Sequence, residues 1–296
     1  MSSSFLPPKI SAEVRAKAVA NAALSRRTRA EVKEGLSAGK LSFFQILNDP
    51  RQAIQRMRVK ELLSAVAGIG PTRCETIMVR NAISPSRRLG GLGRHQLLAL
   101  GKESALLKVD TPPGLLIVMS GPGGVGKSTI TSALRTDPRF WVSVSATTRA
   151  PRASESNGVD YFFLSEQKFT QMVAAGEFLE WAEFAGARYG TPKHPIQEWR
   201  AIGKHVLLEI EIEGARQVRS ADPSALLIFI APPSWEELQN RLAARGSDSA
   251  ERQAARLALG AAEMAAATEF DHTLVNSQVE DVVAQLVALA TSHQVS

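Results

Sequence analysis

The 296-residue chain has one cysteine, Cys74, which excludes an internal disulfide and any metal site built on several thiolates. Long apolar runs are missing too. The longest, residues 225–231, falls far short of the ~18 residues that a membrane-spanning helix needs. Residues 1–10 hold no basic stretch followed by an apolar one, so no secretory leader is expected and the expected location is the cytoplasm. Aromatic residues make up only 6% of the chain, and residues 1–105 contain just Phe5, Phe43 and Phe44. That is too few stacking platforms for a reader of single-stranded nucleic acid. What remains is ordinary globular composition, 44% hydrophobic and 22% charged. The length is about twice the ~150 residues of one domain, so two domains are expected.

Charge is unevenly placed. Residues 1–105 carry 18 Lys and Arg against 7 Asp and Glu, whereas residues 106–296 carry 17 against 22. A basic module beside a mildly acidic one points to a polyanionic partner, usually nucleic acid. The basic part reads as helical throughout. Residues 12–36 are Ala-rich and free of proline, which suits a long exposed helix. Pro50 is expected as an early helical residue, and Ile54, Met57, Leu62 and Val66 continue a helical spacing. Gly68 and Gly70 break that helix and Pro71 starts the next.

Residues 108–114 contain paired prolines and mark the expected boundary: a first domain over 1–105, a linker over 106–113 and a second domain over 114–296. Beyond it the texture changes to short β-branched runs at 115–119, 206–212 and 226–230, separated by helical stretches. That alternation predicts an α/β fold, a mainly parallel sheet with helices on both faces, preceded by a small all-α domain.

The run 115–119 leads straight into Gly121, Pro122, Gly123, Gly124, Val125, Gly126, Lys127, Ser128 and Thr129, which fits G-x-x-x-x-G-K-[ST]. In such a loop the curled backbone aims its amides at a nucleotide's phosphates, Lys127 adds a point charge and Ser128 offers a hydroxyl to Mg²⁺.

Further motifs follow: V-S-V-S-A-T-T-R-A-P-R at 142–152, N-G-V-D-Y at 157–161, E-F-L-E-W at 177–181 and A-R-Y-G-T at 187–191. With the loop, these motifs make residues 114–294 resemble the guanylate kinases. The resemblance implies a P-loop kinase with a GMP-binding subdomain and a lid, phosphorylating GMP and dGMP with ATP and Mg²⁺. It assigns Arg149, Arg152, Tyr161 and Tyr189 to the GMP phosphate, and Glu180, Ser145 and Thr191 to the guanine. It assigns Arg241, Arg245 and Arg256 to a lid that acts with Lys127 in catalysis, and Asn276 to the adenosine end. The chemistry agrees, because one carboxylate can accept guanine's N1–H and exocyclic amine together, a pair that adenine does not offer. Glu209 and Glu211 stand where the family commonly has D-x-D or E-x-D. Strand alternation would put both on one face beside the loop, within reach of the metal's water shell or the guanine.

In the basic part, residues 62–78 read L-L-S-A-V-A-G-I-G-P-T-R-C-E-T-I-M, a helix, a Gly-x-Gly hairpin and a second helix. The hairpin at Gly68 and Gly70 offers backbone amides and a helix N-terminus to an anion, with Arg73 alongside. Together with S-P-S-R-R-L-G-G-L-G at 84–93 and S-R-R-T-R at 25–29, this segment resembles the mycobacterial-type integration host factor over roughly 12–101. The resemblance implies that duplex DNA is bound, with Arg73, Arg87 and Arg88 as phosphate contacts and association with a nucleoid as the consequence. RNA stays open, since ribosomal proteins use a similar fold. Two alternatives stand beside this fusion reading. The basic domain could be a relic or an oligomerisation arm, or the kinase fold could be a catalytically weak binding module.

Overall fold

The computed structural model describes residues 11–104, 112–184, 186–243 and 250–293. The chain divides into two compact units, Met1–Asp110 and Thr111–Ser296. Of the expected linker, only residues 112 and 113 are described. No helix among the described residues is long and apolar enough to cross a membrane.

The first unit is helical. Its helix α1 (Ala12–Ser37) opens after Ser11, whose side chain accepts from Val14 N, and buries only Val32, Gly35 and Leu36 near its end. Helix α2 (Phe43–Leu47) begins with a capping box between Ser42 and Gln45, which turns Phe43, Phe44, Ile46 and Leu47 inward. Then come α3 (Gln52–Gln55), α4 (Val59–Leu63), α5 (Pro71–Arg80) and α6 (Arg94–Ser104). Ile54, Met57, Val59, Leu62, Cys74 and Ile77 form the buried centre.

One expectation fails here. Pro50 lies outside any helix, and the single helix expected through Val66 is two, interrupted at Arg58. Arg58 is extended (φ −74°, ψ 139°) and pairs with Arg88. Val59 N donates to Arg87 O at 3.0 Å and Leu89 N to Met57 O at 2.9 Å. Those bonds join segments thirty residues apart, a gain that local helical spacing does not register. Helix α4 also ends at Leu63, ahead of the break expected at Gly68 (φ +81°), whereas α5 starts with Pro71 at its first turn as expected.

In the second unit the elements run β1 (Leu116–Ser120), α7 (Lys127–Leu134), β2 (Phe140–Val142), β3 (Ala146–Thr147), β4 (Phe162–Phe163) and α8 (Glu166–Ala174). They continue with β5 (Phe178–Phe184), β6 (Ala187–Pro192), α9 (Lys193–Ala201), β7 (His205–Glu209) and α10 (Ile212–Ala221). Last come β8 (Leu226–Ala231), α11 (Trp235–Ala243), α12 (Ala250–Ala265), β9 (His272–Val275) and α13 (Val279–Ser292).

A five-stranded sheet, ordered β2-β7-β1-β8-β9, is parallel at every pairing. Ile117, Met119, Ile228 and Ile230 on one face pack with Ile130 and Leu134 of α7 and Val282 and Leu286 of α13. The alternate residues Leu116, Val118, Val206 and Leu208 are equally buried, as a sheet covered on both faces requires. A second, mixed sheet, ordered β4-β3-β6-β5, is covered by α8 through Phe169, whose ring stacks on Phe178 at 4.5 Å.

The strand expected over 206–212 is shorter. β7 stops at Glu209, Glu211 is the N-cap of α10 and Ile212 is already helical. The reason is its partner: the last ladder bond runs from Ile210 N to Met119 O, after which β1 turns away into the glycine loop.

His205, at the start of β7, is 3% exposed and accepts from Leu115 N at 3.3 Å through Nδ1. Burial, with Arg139 nearby, lowers its imidazole to about 4. The unfolded chain takes this proton near pH 6.5 and the folded one only near pH 4, so stability falls as pH drops through that window. The loss amounts to about 3 kcal/mol by pH 4. Urea unfolding of wild type and His205→Asn between pH 4 and 7 checks this: the difference between the two should shift by that amount.

Candidate active site

The phosphate loop forms where β1 ends. Gly121 has φ +146°, and a Cβ there would lie 2.3 Å from Ile230 O. Gly126 has φ +102°, caps α7 and would press a Cβ to 2.5 Å from Asn276 Nδ2. Only glycine tolerates both the dihedrals and the closeness. Lys127 therefore opens α7, and its Nζ donates to the carbonyls of Gly121 and, at 3.3 Å, Pro122.

Four sequence-predicted residues gather around this loop. Ser128 Oγ donates to Glu209 Oε1 at 3.1 Å, while Thr131 Oγ1 donates to Glu209 Oε2 at 2.9 Å. Asn276, 3% exposed, donates from Nδ2 to Val125 O at 2.7 Å. Arg241 reaches Val125 O and Asn276 O, both at 3.3 Å, and is steadied by Glu237 at 2.9 Å. Arg245 lies outside the described residues, and of Arg256 only its backbone place on α12 is described.

The strand alternation that would place Glu211 on the same face as Glu209 ends before it, since Glu211 is the N-cap of α10. Glu211 lies beside Glu263 of α12, whose Oε2 accepts from Gly123 N of the loop at 3.3 Å. Burial, then Glu211 beside it, pushes Glu263 up to about 7. Nothing in the sequence reading singled out Glu263. Its one signal is an acid flanked at helical spacing by Gly260 and Ala266, both buried.

The mixed sheet carries the second group. Glu180 on β5 is 7% exposed, and Thr191 Oγ1 on β6 donates to its Oε1 across the strand pair. Burial raises the Glu180 carboxyl above its ordinary value, against the lowering effect of Thr191. Arg149, just after β3, is held by Glu155 through two bonds of 3.0 and 2.8 Å, with the Tyr189 phenol nearby. Its guanidinium lies 5.6 Å from the Tyr161 ring centre, and the Tyr161 and Tyr189 rings meet edge-on at 6.0 Å. Burial raises the Tyr161 phenol, which stays a donor at neutral pH. Arg152 stands apart: its side chain is 75% exposed and only 4.0 Å from Glu155. Ser145 accepts from Phe162 N through its carbonyl, at the entrance to β3. Glu155 was missed by sequence reading, although an acid six residues after Arg149 and three after Arg152 is a charge-pattern signal.

In the first unit, Arg87 and Arg88 are exposed and line, with Ser84, Ser86 and Gly91, an open depression of about 470 Å³. Arg87 also donates to Gly91 O at 3.1 Å. Arg73 is exposed on the first turn of α5, where Gly70 caps the helix without a side-chain bond.

The guanylate kinase family model matches residues 114–292, and the S13-like H2TH domain model matches residues 36–103. A guanylate kinase of Leifsonia xyli subsp. xyli is 46% identical over 240 residues, 79% of this chain and 94% of that protein, so the likeness extends into the helical unit. A crystal structure of guanylate kinase from Anaplasma phagocytophilum is 30% identical, covers 63% of this chain and 89% of its own, and superposes with a TM-score of 0.52. A structure of sIHF bound to an 8-bp palindromic DNA is 39% identical over 28% of this chain and 96% of its own, with a TM-score of 0.27. The chain belongs to the guanylate kinases, and it carries an S13-like H2TH domain ahead of its kinase unit.

Proposed function

We propose that the Thr111–Ser296 unit transfers the γ-phosphoryl group of ATP to GMP, and to dGMP, giving the nucleoside diphosphate and ADP. The observation that carries the substrate choice is Glu180, a buried carboxylate fastened at one oxygen by Thr191 on the sheet that also holds Arg149, Tyr161 and Tyr189. An ionised carboxylate has acceptor sites for both neighbouring donors of guanine even after taking one bond from Thr191. Ser145 completes the base site. Arg149 and Arg152, with the two phenols, suit the dianionic phosphate, and Glu155 orients Arg149 in advance.

The loop amides and Lys127 hold the ATP phosphates, and Asn276 lies toward the adenosine. Arg241, Arg245 and Arg256 balance the charge that spreads over the transferring group. Ser128 and Glu209 form a pair of hard oxygen donors that fits Mg²⁺, which usually keeps water and phosphate oxygens as its other ligands. When bound, the metal neutralises charge on the β- and γ-phosphates. A GMP phosphate oxygen attacks the γ-phosphorus in line while the bond to the ADP oxygen breaks, and the side chains of this chain serve to position and to neutralise. Rates of ADP formation with GMP, dGMP, AMP, UMP and CMP test the reading. GMP should be fastest, and preference for AMP or a pyrimidine nucleotide overturns it.

For the Met1–Asp110 unit we infer contact with duplex DNA through phosphates. Its excess of basic residues, the Arg87–Arg88 depression and the start of α5 without a side-chain cap support this reading. Each neutralised phosphate releases counterions, so with about four to six contacts the affinity of the full chain should fall with a logarithmic salt slope of about −4 to −5. Replacing Arg87 and Arg88 by alanine should flatten the slope by about two. Fluorescence anisotropy on random duplexes, with duplex RNA as competitor, measures this. Absence of binding at low salt leaves the relic or oligomerisation arm standing.

A further inference from the structure

Among the described residues, strand β5 is the edge of its sheet, paired to β6 on one side only. On the other side the Trp181 backbone is met by one side chain. Trp181 N donates to Gln217 Oε1 at 3.1 Å, and Gln217 Nε2 donates to Trp181 O at 3.1 Å. A primary amide offers the same donor and acceptor as a peptide group, so Gln217 stands in for one residue of a neighbouring strand.

Three residues earlier on α10, and so on the same face, lies the buried Gly214. A Cβ built there would sit 2.9 Å from Glu180 Oε2 and 3.3 Å from its Cδ. Glu180 cannot easily give way, because it is buried and fastened to Thr191 through its other oxygen. The helix that meets Glu180 also begins three residues after Glu209, which is bonded to Ser128 of the phosphate loop.

We propose that the Gly214–Gln217 face of α10 is a specificity-determining seat for the base-reading carboxylate. Gln217 sets the position of β5 at Trp181, and Gly214 admits Glu180 Oε2 to the place from which the carboxylate accepts both donors of guanine. Both are positioning residues, and the inference rests on the reading of Glu180 given above.

The test compares GMP with IMP, which keeps N1–H and lacks the exocyclic amine, in wild type, Glu180→Gln, Gly214→Ala and Gln217→Ala. Glu180→Gln should collapse the GMP-over-IMP preference in kcat/KM. Gly214→Ala and Gln217→Ala should each lower that preference by about tenfold or more, as expected for one weakened charge-assisted bond. They should do so by raising KM for GMP, with kcat at saturation within about twofold of wild type. A merely structural role would lower the melting temperature and slow both nucleotides alike, leaving the ratio unchanged. Gln217→Ala removes a half-buried polar side chain and no core atoms, so it decides the matter even where Gly214→Ala does not fold. An intact ratio in Gln217→Ala or Gly214→Ala, beside a collapsed one in Glu180→Gln, overturns the role given to that residue. An intact ratio in Glu180→Gln overturns the guanine reading itself.

Discussion

Replacing Lys127 by alanine is expected to lower kcat for GMP about a thousandfold, while KM for GMP stays within about threefold. Lys127 is the first residue of α7, placed there by the left-handed Gly126, and its ammonium is drawn over the loop by the Gly121 and Pro122 carbonyls. In phosphoryl transfer the added negative charge appears on the group being moved, so a fixed cation at that point stabilises the transition state more than the bound substrates. Removing one preorganised group of this kind costs about 3–4 kcal/mol of barrier. Alanine is a strong helix former, so α7 should persist, and circular dichroism checks that it does. The residues assigned to GMP lie on and around β3, β5 and β6, away from the substitution, which is why KM should hold. A loss of less than tenfold in a coupled assay of ADP release would remove Lys127 from the reaction.

Glu180→Gln is expected to cost about a hundredfold or more in kcat/KM for GMP, and much less for IMP. The amide keeps one acceptor oxygen but turns an NH₂ toward a guanine donor, so one charge-assisted bond becomes a clash of donors in a buried site. The pH profile carries a second signature. Burial raises the Glu180 carboxyl, so in the free enzyme it takes up its proton at a higher pH than an exposed glutamate would. The protonated form cannot accept both donors. KM for GMP should therefore rise on acidification, beginning above the ordinary carboxylate range, and the Gln variant should lack that rise. The phosphate of GMP titrates in the same region in both proteins, so the difference between the two profiles is the quantity to measure. Superimposable profiles would mean that Glu180 does not hold the base.

The phosphate loop was legible because its parts are contiguous. Glycine's left-handed dihedrals and the strand before it are local properties, and the residues from Gly121 to Ser128 lie in the structure as their order suggests. The residues gathered on and around the mixed sheet were legible for another reason: Arg149, Tyr161, Glu180, Tyr189 and Thr191 fall in motifs whose order resembles a known family. The strand expected through Glu211 shows the limit of local reasoning. Period-two alternation is valid only while the strand lasts, and β7 lasts only while β1 runs beside it. The helix expected through Arg58 failed likewise, since its backbone bonds go to Arg87 and Leu89.

The sequence by itself determined that a glycine-rich G-x-x-x-x-G-K-[ST] loop at 121–128 follows a strand and opens a helix, that a basic helical module precedes a parallel α/β unit, and which family that unit resembles. All three depend on short-range chemistry: dihedral preference, charge and hydrophobic period. Only the tertiary structure decided that Glu209 meets Ser128, that Glu155 orients Arg149, that Glu263 reaches the loop from α12, and that Gly214 and Gln217 of α10 lie against the strand bearing Glu180. Most of those partners are separated by tens of residues or more, and closeness between distant segments is set by which backbones pair and which helices cover them, a property that no local pattern contains.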